Sequence, residues 1–205
     1  YTVSDPCYHY ITGYYRFKVL RKLYFPKRSR KDKRGRFITN NSFFSLEGLH
    51  ELKQADILVI TNSYKAKQLL KKIIPLLKLE HSIEVSNFTA ETMYINQELL
   101  EALNKTYKYI VLNTDFDRAG IKAVNAKVDR NNIKSEKLRK KYGFYFYFLT
   151  NGKYGTIDFG AKDVTDYVAK YGFDPCVKLV QNAYNNFNEN WLLTSNEFDD
   201  DLSKT

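Results

Sequence analysis

Cysteine and histidine are scarce in this chain. Its 205 residues hold two cysteines, Cys7 and Cys176, and three scattered histidines, His9, His50 and His81. No C-x-x-C pair occurs, so a zinc site has little support, and neither cysteine sits in a nucleophile signature. Two widely separated thiols fit a reducing interior, and the expected location is cytoplasmic. No apolar run approaches the roughly 20 residues of a membrane span, and no secretory signal opens the chain, so no membrane partner is expected. The first residue is Tyr1 rather than Met, from which we expect a fragment of a longer protein.

Acid is nearly missing from one stretch. Residues 16–36 contain eleven Lys and Arg and a single acid, Asp32, while the other 22 basic and 22 acidic residues balance. The whole net charge of +10 therefore sits in that segment. A solubilising loop would account for it, but a concentrated basic stretch also suits an anionic partner. Aromatic residues lie within and beside it (Tyr14, Tyr15, Phe17, Tyr24, Phe25, Phe37), and they favour nucleic acid. Bases stack on aromatic faces while Lys and Arg hold phosphates. Arg16, Lys18, Arg21, Lys22, Arg28 and Arg30 are the candidate cations along a nucleic-acid backbone. The chain has 17 Tyr and 14 Phe, too many for a disordered polymer, and its length suits one sizeable domain or two small ones.

Residues 1–50 read as short strands and turns, with an exposed basic hairpin tip or loop from Lys27 to Arg36 around Gly35, and a short helix-like piece runs on to about Gln54. The buried run Ile57-Leu58-Val59-Ile60-Thr61 follows, and Asn62 or Ser63 can cap the next helix. That helix carries Ala66, Leu69, Leu70, Ile73, Ile74 and Leu77 at helical spacing with lysines on the other face, and Pro75 ends it. Ile83–Ser86 is a short strand, and Ile95, Leu99, Leu100 and Leu103 form the stripe of a second helix. The third strand is Tyr109–Asn113, and a long helix is expected from Arg118 to about Lys141. Phe144–Leu149 is the fourth strand. A glycine-rich loop then leads to Lys162-Asp163-Val164-Thr165-Asp166, and a helix is expected from Asp174 to about Leu193 before an acidic end. Strands alternating with helices imply an α/β fold: a mostly parallel four-stranded sheet flanked by helices, after a small basic β-rich subdomain. The expected units are 1–54, 55–172, and a C-terminal helix and tail over 173–205.

Asn113-Thr114-Asp115-Phe116-Asp117-Arg118-Ala119-Gly120 follows the third strand. In open α/β sheets the carboxyl ends of the strands face the ligand crevice. Alternate residues of an extended segment point the same way, so Asp115 and Asp117 can aim two carboxylates at one point. Two hard oxygen ligands suit Mg²⁺. The same residues also fit a solvated turn in which Asp117 caps the next helix.

The order of these elements resembles the Toprim domain, the metal-binding α/β module of bacterial- and phage-type DNA primases, topoisomerases and some nucleases. The resemblance rests on Ile57–Thr61, on Asp115-x-Asp117-x-Ala119-Gly120, and on Lys162-Asp163-x-x-Asp166, and it covers about 14–175. The last element, and the basic subdomain running through Gly48-Leu49-x-x-Leu52 into the first strand, look primase-like. The resemblance implies Mg²⁺ or Mn²⁺ on Asp115, Asp117 and Asp163, with Asp166 as an alternative helix cap, and phosphate contacts from Lys65 and Lys162. It further implies single-stranded DNA as template, nucleoside triphosphates as substrates and a replicative helicase as a candidate partner in a bacterial or phage-infected cell. One departure matters. Toprim domains end the first strand with a Glu, whereas Thr61-Asn62-Ser63 stands here and no acid follows before Glu80. Glu91, after the second strand, can supply the missing carboxylate; it can equally be an ordinary first-turn Glu. Three functions remain open at this point: primer synthesis, Toprim-type DNA cleavage, and nucleic-acid binding without catalysis.

Overall fold

The computed structural model describes residues 4–15, 18–29, 31–40, 46–89, 95, 97–115, 144–147, 161–185 and 187. Alternating aromatic and basic residues near the start build an antiparallel sheet. Strands β1 (Tyr8–Tyr15), β2 (Lys18–Tyr24) and β3 (Phe37–Thr39) lie in the order β1-β2-β3. The basic segment between β2 and β3 is the hairpin tip expected of it. It is closed by Phe25 N–H donating to Arg36 O at 2.9 Å and turned at Gly35, whose φ of 78° favours glycine.

The second sheet carries the fold class: an α/β layer of mostly parallel strands with helices on both faces. Its strands are β4 (Leu46–Glu47), β5 (Ile57–Thr61), β6 (Ile83–Phe88), β7 (Tyr109–Asn113) and β8 (Phe144–Tyr147). They lie in the order β4-β6-β5-β7-β8, with β6, β5, β7 and β8 parallel and β4 antiparallel on the edge. β5 and β7 are the inner two of the four parallel strands, as their near-continuous apolar sequences predict. The fifth strand, β4, was not expected. Two residues carry no periodicity, and its pairing partners Phe88 and Asn87 lie some forty positions away.

Among the described residues four α-helices cover the sheet: α1 (Tyr64–Ile73), α2 (Gln97–Thr106), α3 (Val164–Tyr171) and α4 (Phe173–Asn185). Ile57, Val59, Val85 and Val111 point to one face and pack with α1, α3 and α4, through Leu70, Ile73, Val164, Cys176 and Val180. Leu58, Ile60, Phe88, Ile110 and Leu112 point to the other and pack with Leu100 and Leu103 of α2 and with Leu46. Each such aliphatic side chain withdrawn from water contributes about 1.5–3 kcal/mol. The Cys176 thiol is fully buried there and pushed up to about 11 by that burial, which suits packing and not nucleophilic chemistry.

Two expectations are corrected. The second parallel strand runs to Phe88, not Ser86, because Asn87 pairs with Thr61 on one side and Glu47 on the other. Lys67 is not on the solvent face of α1; it is buried beside Ala66 and Leu70, at 3% exposure. α1 ends as expected, in a 3-10 turn over Ile74–Leu76 that contains Pro75. Among the described residues no helix is long and apolar enough to cross a membrane. The helix expected from Arg118 to Lys141, the glycine-rich loop and the acidic end lie outside the described residues.

Candidate functional site

The order of the parallel strands places the crevice. From β5 the chain crosses outward to β6, then returns past β5 to β7 and continues to β8. The winding therefore reverses between β5 and β7, and ligands of open α/β sheets bind outside the carboxyl ends at such a switch point. The two strands end flush, Thr61 against Asn113. On the β5 side, Ser63 caps α1, its Oγ accepting from Ala66 N–H at 3.1 Å, and the Thr61 hydroxyl donates to Ser63 O at 3.1 Å. The first turn of α1 holds no acid, and Lys65 stands exposed in it. The positive end of the α1 dipole thus carries no neutralising acid in its own first turn.

On the β7 side, Thr114 is buried, and its Oγ1 has no hydrogen-bond partner among the described residues. Asp115 follows it, largely buried, and accepts from Lys162 Nζ at 2.8 Å. Lys162 precedes α3, so the loop carrying Lys162-Asp163 does return to the carboxyl end of β7. Asp163 caps α3: its Oδ1 accepts from Asp166 N–H at 2.8 Å and from the Thr165 hydroxyl at 2.7 Å. The cap is thus Asp163, with Asp166 in the first turn. Asp117 and Glu91 lie outside the described residues. Among the described residues no three Asp, Glu, His or Cys side chains gather as metal ligands. What is described fits a cation in part: a carboxylate with an ammonium already against one oxygen, beside an orphaned buried hydroxyl.

An acid that sequence reasoning passed over lies on the same sheet edge. Glu47, Asn87, Thr61 and Asn113 form one register row at the carboxyl ends, at 1%, 0%, 0% and 6% exposure. Among the described residues neither Glu47 carboxylate oxygen has a well-formed hydrogen bond; the Asn87 side chain lies beside it and Lys22 Nζ stands 3.6 Å from Oε1. Burial pushes the Glu47 carboxyl above the usual carboxylate range and pushes the Lys67 ammonium below its own. At strand spacings of about 4.8 Å, Glu47 lies some 14 Å from Asn113, too far to share an ion with Asp115. Its only sequence signal was an acid between leucine and glycine. Gly48 needs to be glycine: its φ is 71°, and a Cβ there would stand 3.0 Å from Lys67 Nζ.

The candidate cations divide. Lys18 and Arg21 are exposed on β2. Lys22 is turned inward, donating to Thr89 O at 2.7 Å beside Glu47. Arg28 is held by both Asp5 oxygens, the closest contact at 2.7 Å, and lies 3.4 Å over the Phe25 ring. Arg16 and Arg30 lie outside the described residues.

No protein-family model matches the chain, and no curated protein matches it. Solved structures do. One is a bacteriophage T7 lagging-strand DNA polymerase interacting with primase domains of two gp4 subunits bound to an RNA/DNA hybrid and dTTP. It is 15% identical at TM-score 0.47, over 82% of this chain and 70% of that one. The primase fragment of the bacteriophage T7 primase-helicase protein is 17% identical at TM-score 0.46, over 78% and 55%. The Aquifex aeolicus primase, comprising zinc-binding and RNA polymerase domains, is 16% identical at TM-score 0.49, over 80% and 36%. The chain therefore spans little more than half of the second and about a third of the third. At such identities and TM-scores the likeness assigns neither activity nor residue roles.

Proposed function

We propose that this chain is the catalytic core of a DNA-primase-type nucleotidyltransferase, a Toprim-like module that joins ribonucleotides on a single-stranded DNA template. The observation that carries this reading is Asp115 at the switch point, at the carboxyl end of β7, with Lys162 across from it at 2.8 Å. Asp115 would hold Mg²⁺ or Mn²⁺ together with Asp117, Glu91 and Asp163. Such an ion neutralises charge that builds on phosphoryl oxygens and orients the reacting groups. Lys162 lies where it can exchange its carboxylate partner for a triphosphate oxygen. Lys65 and the amino end of α1 present positive charge from the β5 side. The exposed cations Lys18 and Arg21 would hold template phosphates, which sets position without choosing sequence.

A second reading has its own support. β5 ends in Thr61-Asn62-Ser63 and the first turn of α1 holds no acid, which suits a module that binds nucleic acid and has lost catalysis. A Toprim nuclease would want that missing acid more than a primase would. One experiment separates the three: single-stranded DNA with labelled ribonucleoside triphosphates and Mg²⁺ or Mn²⁺, beside circular DNA under the same conditions. Short oligoribonucleotides support the primase reading. Nicked circles support cleavage, and binding without either product supports the inactive module. A replicative helicase as partner is tested by co-sedimentation with this chain.

A further inference from the structure

The β1-β2-β3 sheet carries a stack of three aromatic rings that the reading above does not use. Tyr8, Tyr24 and Phe37 stand directly opposite one another on the three strands. Tyr8 and Tyr24 stack with centroids 6.1 Å apart and planes 22° apart; Tyr24 and Phe37 stack at 4.8 Å and 12°. Tyr24 is clamped in place, since Arg36 donates to its hydroxyl at 2.8 Å and lies 5.3 Å from its ring. Tyr8 and Phe37, at the two ends, are each 58% exposed. Among the described residues no further ring continues the stack at either end. Lys22 Nζ lies 5.6 Å from the Phe37 centroid, and the exposed rings at the two ends form an apolar patch that a planar group can cover.

The same face leads to the crevice. In the next row Tyr10 and Lys22 point the same way as the stack. Tyr10 packs at 5.3 Å against Tyr64, the first residue of α1, just past the carboxyl end of β5. Lys22 bonds Thr89 O just past the end of β6. Tyr10 and Lys22 therefore link the row beside the aromatic column to the carboxyl ends of β5 and β6. On β2 and the hairpin tip that carry Tyr24 and lead to Phe37, Lys18, Arg21, Lys31 and Lys33 stand exposed. An apolar protein partner would leave those cations uncompensated; a polyanion carrying planar rings matches both features.

We propose that the Tyr8–Tyr24–Phe37 column is a base-stacking platform for single-stranded DNA, on which bases extend the column at its open ends on the way to the crevice. This rests on the primase-type reading for the identity of the strand and deepens it by naming where the bases, as opposed to the phosphates, are held.

The test is fluorescence anisotropy of the full chain with labelled oligo(dT) of about ten nucleotides, a length within the range one such surface holds. It runs beside an abasic oligonucleotide of the same length and charge, and beside oligo(rU). A base stacked on an aromatic ring is worth roughly 5- to 150-fold in affinity by alanine substitution. Wild type is expected to prefer oligo(dT) over the abasic strand by at least about tenfold, and Tyr8→Leu with Phe37→Leu to erase most of that preference. Binding of the abasic strand should stay within about twofold, because phosphate contacts are untouched. Tyr24→Phe keeps the ring and should keep the preference. If the double variant unfolds, Tyr8→Leu alone, on an edge strand, should lower the preference by itself.

Equal wild-type affinity for oligo(dT) and the abasic strand overturns the platform, as does a preference unmoved by Tyr8→Leu or a preference for oligo(rU). Each of these leaves phosphate tracking and primer synthesis standing. Absent primer synthesis with the oligo(dT) preference intact overturns the nucleotidyltransferase reading and leaves the platform in place.

Discussion

Glu47 is the residue whose chemistry departs most from its surroundings. A buried carboxyl with a raised pKa binds its proton more tightly in the folded chain than in the unfolded one. The folded state therefore gains from protonation, and stability falls as pH rises from the ordinary value of 4.5 through the raised folded value. Glu47→Gln should remove that fall. Urea unfolding of wild type and variant between pH 4 and pH 7, an interval of about three units spanning the ordinary carboxylate range, checks it; parallel curves would count against the account. Gly48 makes a second prediction. Its φ of 71° and the 3.0 Å approach to Lys67 mean that Gly48→Ala should cost about 1–2 kcal/mol, read from the same denaturation. Glu47 was not legible as special, and Gly48 was marked only as the start of the Gly48-Leu49-x-x-Leu52 element, not for its backbone conformation. An acid between apolar neighbours looks like surface, and the burial of Glu47 arises from β4 pairing with β6, which local sequence does not encode. Lys67 shows the complementary failure: its spacing from Leu70 puts it on the apolar stripe, and its charge argued it off.

At the scale of elements, β5 and β7 were legible to the residue. Each is an unbroken apolar run with polar residues at its end, and two-sided burial needs nothing more. β6 was read two residues short because Ser86 and Asn87 look like a strand end. Their polarity is instead absorbed across the sheet, the Ser86 hydroxyl donating to Glu47 O at 2.9 Å. The start of α3 carries a test of two roles held by one side chain. Asp163 caps the helix, and Asn caps as well as Asp does. Asp163→Asn should therefore leave the thermal midpoint unchanged, while Asp163→Ala should lose about 1 kcal/mol. Primer synthesis that falls in the Asn variant, with stability unchanged, places the carboxylate at the metal as well; synthesis unchanged in both variants leaves Asp163 as a cap alone.

Across the whole molecule, the basic sheet is fastened to the α/β layer by a few polar and aromatic contacts. Lys22 reaches Thr89 O at 2.7 Å, Gly48 N–H donates to Thr12 O at 2.8 Å, and the Tyr14 ring meets His50 edge-on at 5.3 Å. Charge counting alone could not tell fastening cations from free ones. It was blind to the carboxylates of Glu47 and Asp5, which the fold brings to Lys22 and Arg28. Salt dependence should make the distinction. Each phosphate neutralised on a single strand contributes a slope of roughly −0.7 in log K against log salt, so about four engaged cations give a slope near −3. Arg21→Ala should lower that slope by about one such step. Lys22→Met should instead lower stability.

The central claim is that Asp115, at the switch point, serves phosphoryl transfer. Its most direct test is primer synthesis on single-stranded DNA by wild type and Asp115→Asn, side by side, with circular dichroism confirming that both are folded. The account predicts oligoribonucleotides from wild type and none from Asp115→Asn at an unchanged melting temperature. Equal synthesis by the two proteins would contradict it.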